Sequence, residues 1–338
     1  MGKIHYTEEL SRHGDIEKYL GNIIGKKFTD YRKKWNEIGQ YKLVNKFPIQ
    51  INLETLNNCN YRCVFCRWGT DEIKSYKYKE KMSEHLFKKI LNEINSNYCA
   101  CVDLVGLNEP LLDKDLVNKI KLIKNTTNVV DIRFNTNGSL LNEKKSLELI
   151  DSGLTRIMIS LDAVKKETYE KVRIRGDFNK VVNNVFRFIK LRDAKKKKLP
   201  VVRVTFVKTN SNSNEIQEFI KFWYNKADVV AVQNFRVPSY KSKDYEFLKI
   251  KSKKSKDDKG DITCSQPNER VFITAKGDVR PCASQYNDNL TFGNVYKESI
   301  KDIFNNKNFK KLRENFISKN WSKNPICKKC LTDTFSLD

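Results

Sequence analysis

From residue 47 onward the apolar positions of the chain switch between two rhythms. Short continuous or alternating apolar runs read as strands: FPIQINLET (47–55), ACVDLVGL (100–107), VVDIRFNT (129–136), RIMISLD (156–162), PVVRVTFV (200–207) and DVVAVQNF (228–235). Between them the apolar residues recur every three or four positions, the spacing of one helix face. In SEHLFKKILNEI (83–94), Leu86, Phe87, Ile90, Leu91 and Ile94 share that face, and Ser83 stands where an N-cap belongs. The same period predicts helices over 114–124, 143–151, 179–195 and 214–224. Six strands alternating with helices imply a parallel sheet with right-handed crossovers. The expected fold is therefore α/β, an incomplete (β/α)6 TIM-like barrel over residues 47–237. In such a fold the functional side chains gather at the carboxyl ends of the strands.

The rhythm fails on either side. Residues 1–46 read as a polar helical extension packed on the barrel, with Tyr31 and Trp35 at i, i+4 spacing. Residues 238–263 are rich in Ser, Lys and Asp without periodicity and read as a linker. Residues 264–338 read as a small second domain. It opens with a hairpin, RVFITAKGDVRPC (270–282), turning at Lys276, Gly277 and Asp278, and continues into a helix over 299–317.

Composition narrows the chemistry. The chain has 338 residues, 39% of them hydrophobic, so a large core is available. No apolar run approaches the ~20 residues a bilayer span needs. The opening residues MGKIHYTEELSRHGD contain no apolar stretch either, so a cytoplasmic address without membrane contact is expected. Disulfides are disfavoured there, and the nine cysteines read as ligands, catalytic groups or buried packing residues. The net charge of +24 would suit an anionic partner. However, Lys is spread throughout, and the basic runs at 195–198 and 249–259 lack interleaved aromatics, which argues against nucleic acid.

Three cysteines, Cys59, Cys63 and Cys66, fall as C-x3-C-x2-C in the loop after the first strand. Thiolates hold iron–sulfur clusters. Three ligands on a four-iron cube leave one iron open, and an open coordination site is what a catalytic metal keeps. A zinc site would need a remote fourth ligand, and His5, His13 and His85 lie in no ligand-like cluster.

CNYRCVFC resembles the signature of the radical S-adenosylmethionine (SAM) enzymes, with Phe65 as its aromatic residue. The resemblance implies a 4Fe–4S cluster whose open iron is chelated by the amino and carboxylate groups of SAM. It implies an external electron donor such as flavodoxin or ferredoxin, and a 5′-deoxyadenosyl radical that abstracts a substrate hydrogen atom. GLNEP (106–110) is similar to the family's Gly-Gly-Glu-Pro motif through Gly106, Glu109 and Pro110, while Leu107 and Asn108 depart from it. Glu109 would then receive the methionine ammonium; a surface acid before a loop proline is the alternative. Asn135 and Asn137 of NTNG (135–138) are candidate contacts for cofactor or substrate, and a plain turn fits Asn137–Gly138 equally well. Ser160 and Asp162 of SLDA resemble the pair that approaches the ribose, unless Asp162 caps a helix. KVRIRGDF (171–178) also resembles the family pattern; its Arg173 and Arg175 would meet an anion or water. Arg203 alternates with Val202 and Val204, so it faces the barrel lumen and is a candidate contact for the cofactor carboxylate or the substrate.

A second cysteine set lies downstream. Cys264 and Cys282 frame Gly277 as C-x12-G-x4-C, and CKKC supplies Cys327 and Cys330. Four thiolates complete one cluster, although zinc would accept the same set. The arrangement resembles the SPASM/twitch-type extension of radical SAM enzymes. It implies a single auxiliary 4Fe–4S cluster, the second in the chain, acting as an electron acceptor. Cys99 and Cys101 remain, as buried packing residues or hydrogen-atom donors. The resemblance points to dehydrogenation, or epimerisation, of a secondary alcohol on a carbohydrate- or cyclitol-like small molecule such as a sugar, nucleotide-sugar or phosphorylated compound. Two other readings stand beside it. One is a maturase of ribosomally made peptides, whose members commonly carry a peptide-recognition module larger than the 46 residues here. The other is a zinc-stabilised nucleic-acid-binding protein.

Overall fold

A computed structural model describes residues 7–70, 80–235, 248, 264–282 and 290–335. The expected linker, with its basic run at 249–259, lies outside the described residues except for Leu248. The strands are β1 (Thr7–Ser11), β2 (Gln50–Leu53), β3 (Cys101–Asp103), β4 (Asp131–Thr136), β5 (Arg156–Ser160), β6 (Val201–Lys208), β7 (Val229–Asn234), β8 (Arg270–Ile273), β9 (Asp278–Arg280) and β10 (Gly293–Asn294). They form one sheet in the order β1-β7-β6-β5-β4-β3-β2-β8-β9-β10. The six strands read from periodicity are β2 to β7, paired parallel to their sequence neighbours. The result is an α/β partial TIM-like barrel.

Eight helices accompany these strands: α1 (Ile16–Ile24), α2 (Lys26–Gly39), α3 (Glu84–Asn95), α4 (Leu116–Thr126), α5 (Glu143–Ile150), α6 (Lys166–Val172), α7 (Phe178–Ala194) and α8 (Ile216–Trp223). Four follow in the C-terminal part: α9 (Gln266–Glu269), α10 (Ile300–Phe304), α11 (Lys307–Ile317) and α12 (Pro325–Phe335). The apolar stripe of α3 is buried at all five of its expected positions, and the Ser83 hydroxyl accepts a hydrogen bond from the Leu86 N–H at 3.1 Å. Among the described residues no helix is long and apolar enough to cross a membrane.

Two features correct the sequence reading. Residues 1–46 are not helical throughout. β1 pairs antiparallel with β7 and extends the barrel edge, with Glu9 opposite Ala231. Only then do α1 and α2 follow, and they seal the barrel floor: Phe28 and Tyr31 are buried against Ile49, Ala100, Cys101, Val201 and Val229. Tyr31 and Trp35 meet edge to face, with ring centroids 6.0 Å apart. The second correction concerns 299–317, which is two helices. The Asn306 side chain accepts from the N–H groups of Asn308 and Phe309 and starts α11 afresh, since a capping amide competes with the continuing helix.

The C-terminal hairpin is fused to the barrel. β8 runs parallel to β2, with Ile51 opposite Val271, and turns into β9 through Gly277 at φ +84°, a conformation that favours glycine.

Candidate functional site

The polar motifs lie where the fold places function, in loops that follow the carboxyl ends of β2 to β5. The cysteine loop is clamped on two sides. The Arg62 and Val64 N–H groups donate to the carbonyls of Ile174 and Val172, both at 3.0 Å. The Glu109 N–H donates to the Asn58 carbonyl and the Trp68 indole N–H to the Leu107 carbonyl, each at 2.8 Å. The loop of Cys59, Cys63 and Cys66 is thereby locked to GLNEP and to KVRIRGDF.

Burial pushes the Cys59 and Cys63 thiols up to about 12, and each sits within electrostatic reach of Cys66. Donors nevertheless point at the sulfurs: the Tyr61 N–H at Cys59 Sγ (3.4 Å) and Arg173 Nη1 at Cys63 Sγ (3.6 Å). These are acceptor demands of a thiolate, and an iron corner would supply the missing positive charge. Among the described residues no three His, Cys, Asp or Glu side chains close around a point as a single-ion site would. A cluster is less exacting, because each thiolate meets a different iron. The donor set therefore fits an iron–sulfur cluster.

Glu109 is not a surface acid. It is buried, and burial pushes its carboxyl up against the pull of three donors: Thr136 Oγ1 (2.6 Å), the Leu111 N–H (3.1 Å) and the Asn137 N–H (2.7 Å). A carboxylate accepts about four hydrogen bonds, so room remains for one cationic donor. Asn137–Gly138 is a turn, with Gly138 at φ +74°, and Asn137 does more: its amide donates to Asn60 Oδ1 at 2.8 Å. Asn135 is exposed on β4 and, alternating with Phe134, faces the lumen. The Ser160 hydroxyl has no hydrogen-bond partner among the described residues.

Asp162 departs from both expectations. It caps no helix, and its carboxylate is not free for a ribose. At φ +63° it is fully buried, accepts from the Val207 N–H and from Arg173 Nε, both at 2.6 Å, and forms an ion pair with Arg173. Arg173 is thus buried rather than waiting for an anion in water. One guanidinium joins Asp162, the Cys63 sulfur and the Phe65 ring, which lies 5.3 Å away. Arg203 does face the lumen, where Nη1 pairs with Glu9 at 3.0 Å.

The second cysteine set comes from three places. Cys264 precedes α9, Cys282 follows β9, and Cys327 and Cys330 stand on α12. Burial pushes the Cys327 thiol up, and Cys282, Cys264 and Cys330 each lie within electrostatic reach of it. Tyr41, just beyond α2, donates its hydroxyl to the Cys264 carbonyl at 2.7 Å. Leu248 is buried between Val64 and Phe65 of the first loop and Ile326 and Cys330 of α12. Cys99 and Cys101 are both buried; Cys99 Sγ lies 3.5 Å from the Cys101 carbonyl, and Cys101 belongs to the sealed floor.

Glu54 escaped the sequence reading. It is buried and accepts from the Leu107 N–H (2.9 Å), Asn57 Nδ2 (3.0 Å) and the Ala275 N–H (3.3 Å). It therefore ties the first loop, GLNEP and the second-domain hairpin together. Gly106 is what lets it in: a Cβ there would lie 2.6 Å from the Glu54 side chain. Nothing local marks Glu54 in the sequence, since its partners are 3, 53 and 221 residues away.

Residues 53–222 match the radical SAM superfamily, and residues 264–331 match the iron–sulfur cluster-binding domain SPASM. The GTP 3′,8-cyclase of Clostridium botulinum is 25% identical over 274 residues, which cover 69% of this chain and 80% of the cyclase. Among solved structures, BtrN in complex with AdoMet and 2-DOIA aligns with a TM-score of 0.56 at 17% identity, covering 85% of this chain and 94% of BtrN. Native anSMEcpe with bound AdoMet and Cp18Cys peptide aligns at 0.60 and 18% identity, covering 85% and 88%. The two matched families imply SAM and 4Fe–4S clusters as cofactors, which agrees with donors aimed at buried sulfurs. With half of its length matched and the signature cysteines inside the match, this chain belongs to the radical SAM superfamily and carries a SPASM iron–sulfur domain.

Proposed function

We propose that the protein dehydrogenates a secondary alcohol of a carbohydrate- or cyclitol-like substrate, with Cys59, Cys63 and Cys66 holding the SAM-binding cluster and Cys264, Cys282, Cys327 and Cys330 holding one auxiliary cluster. When bound, SAM and the clusters supply a radical that removes a hydrogen atom from the carbinol carbon and an acceptor for the electron left behind. The chain's own residues position and shield. Glu109 and Asn135 offer acceptors to the cofactor ammonium and its surroundings, Ser160 offers a hydroxyl to the ribose, and Gly106 lets the GLNEP backbone approach. The floor helices keep water out from below.

One observation carries this reading. Leu248 packs on Phe65 of the first cysteine loop and on Cys330 of the second set, which supports an apolar path for an electron between the two sites. Epimerisation would need a hydrogen-atom donor in the lumen, whereas Cys99 is buried in the main core with the residues of α3 and Cys101 in the floor. A peptide substrate has support in the peptide-bound structural neighbour. Against it, the described residues ahead of β2 pack on the barrel floor and edge. The cyclase relatives keep phosphorylated and nucleotide substrates within the class.

The test is anaerobic incubation of reconstituted enzyme with carbinol-deuterated sugars, cyclitols, their phosphates and a nucleotide. Label should pass into 5′-deoxyadenosine with one equivalent of ketone. Label transfer with inverted alcohol and no ketone would replace dehydrogenation by epimerisation, and transfer from a peptide alone would sink the alcohol reading.

A further inference from the structure

Three arginines on the neighbouring strands β4, β5 and β6 face the barrel lumen, and they are not treated alike. Arg156 makes a two-pronged contact with Glu17 (3.0 and 3.1 Å) and reaches Asp131 at 3.1 Å. Arg133 donates to Asp103 Oδ2 and to Gln50 Oε1, each at 3.0 Å. These two brace the lower barrel. Among the described residues Arg203 has only the Nη1 contact to Glu9 and a 4.0 Å approach to Met158 sulfur, and its Nε and Nη2 are buried with no hydrogen-bond partner there. Asp103 shows the complementary lack: Oδ2 takes Arg133, while Oδ1 is buried without a donor among the described residues.

A buried guanidinium edge and a buried carboxylate oxygen normally find partners. The edge formed by Nε and Nη2 is the face that grips a carboxylate or phosphate with two parallel bonds. Its place is also apt. Thr205, two residues along β6, accepts the Leu161 N–H, and Asp162 receives the Val207 N–H. Arg203 therefore lies roughly 7 Å below the rim that carries the proposed cofactor contacts, about the reach of one arginine side chain. Desolvation, reinforced by the charges of Arg133 and Arg156 and opposed by Glu9 and Asp103, holds Arg203 below the ordinary arginine value, a strain that a bound anion would relieve.

We propose that the lumen contains a substrate subsite in which Arg203 Nε and Nη2 bind a carboxylate or phosphate group and Asp103 Oδ1 accepts a hydrogen bond from a hydroxyl or ammonium of the same molecule. This deepens the proposed function and rests on it in taking the lumen as the place of the substrate. The substrate is then an anionic polyol or amino compound, such as a sugar phosphate or sugar acid, rather than a neutral sugar. The carboxylate of SAM is the other source of such an anion.

Inorganic phosphate and acetate are the probes, titrated calorimetrically into anaerobically reconstituted enzyme with and without saturating SAM. At least one should bind saturably with SAM present. Arg203→Gln should weaken that binding at least tenfold, Arg203→Lys should weaken it less, and Glu9→Gln should strengthen it by releasing Nη1. Circular dichroism checks that the variants are folded; should Arg203→Gln fail to fold, the opposite signs expected for Arg203→Lys and Glu9→Gln still decide. Competition by SAM would assign the site to the cofactor's carboxylate and overturn the proposal. So would the absence of saturable binding of both ions, or equal affinity in the Arg203 variants. The readout is ion binding, so it is independent of whether any alcohol becomes a ketone.

Discussion

The two cysteine sites of this chain are built on opposite plans. The first takes three sulfurs from an eight-residue loop, and polar groups hold it from outside: Arg173 at Cys63, the Tyr61 N–H at Cys59, and backbone ties to two further loops. The second gathers four sulfurs from segments as far apart as residues 264 and 330, against apolar neighbours that include Leu312, Phe316 and Leu331. A local loop with only three thiols at hand would leave one corner of a four-iron cube open, and its surroundings compensate charge. A set drawn from separate elements completes its shell and needs each of those elements in place. Under the proposed function, the first plan suits a site that exchanges small molecules and the second a fixed relay.

The sharpest way to break that contrast is to remove one sulfur from each. Cys63→Ala should abolish SAM cleavage and lower iron from about eight to about four per chain. Cys282→Ala should lose a similar amount of iron yet keep SAM cleavage while yielding no oxidised product. Iron analysis and 5′-deoxyadenosine assays read both, and equal loss of cleavage in the two variants would erase the distinction. Next in size is Arg173→Met. It leaves Asp162 buried without its partner, at a cost of about 3–5 kcal/mol in denaturant unfolding. It also removes the donor to Cys63 Sγ, so the first cluster should become harder to reduce while the second stays put. A tenfold change in its reduced fraction at fixed potential corresponds to about 59 mV in a redox titration.

Glu54→Gln tests whether the two sites are mechanically joined. Two of its three donors are backbone N–H groups, and disturbing them should cost about 1–3 kcal/mol and loosen both sites together. Loss of iron from one site alone would show that Glu54 serves only that site. Tyr41→Phe is the mildest change. Losing the hydrogen bond to the Cys264 carbonyl should cost about 1 kcal/mol and lower iron occupancy of the second site alone during reconstitution.

The parts of this architecture that the sequence made visible are those with a local signature. Helix α3 could be read because its stripe and its cap lie within a dozen residues. The same holds for the strands whose apolar runs are bounded by turn residues, and for the cysteine spacings. What stayed hidden depends on partners distant along the chain. β1 is a polar stretch, TEELS, that becomes a strand only because β7 offers it an open edge. Asp162 looks like an available acid until the fold delivers Arg173 to it. Glu54 has no pattern at all, only three donors brought together by the strand ends.

The seam between β2 and β8 has a consequence for electron traffic. Tunnelling through protein weakens steeply with each added ångström, so a relay performs evenly only if its two stations keep a constant separation. Here a ladder of parallel backbone hydrogen bonds, Gln50 through Leu53 against Arg270 through Ile273, spans the junction in place of a hinge. If the two sites exchange electrons as proposed, the gap between donor and acceptor is set by sheet geometry, and its reproducibility is a property of the backbone.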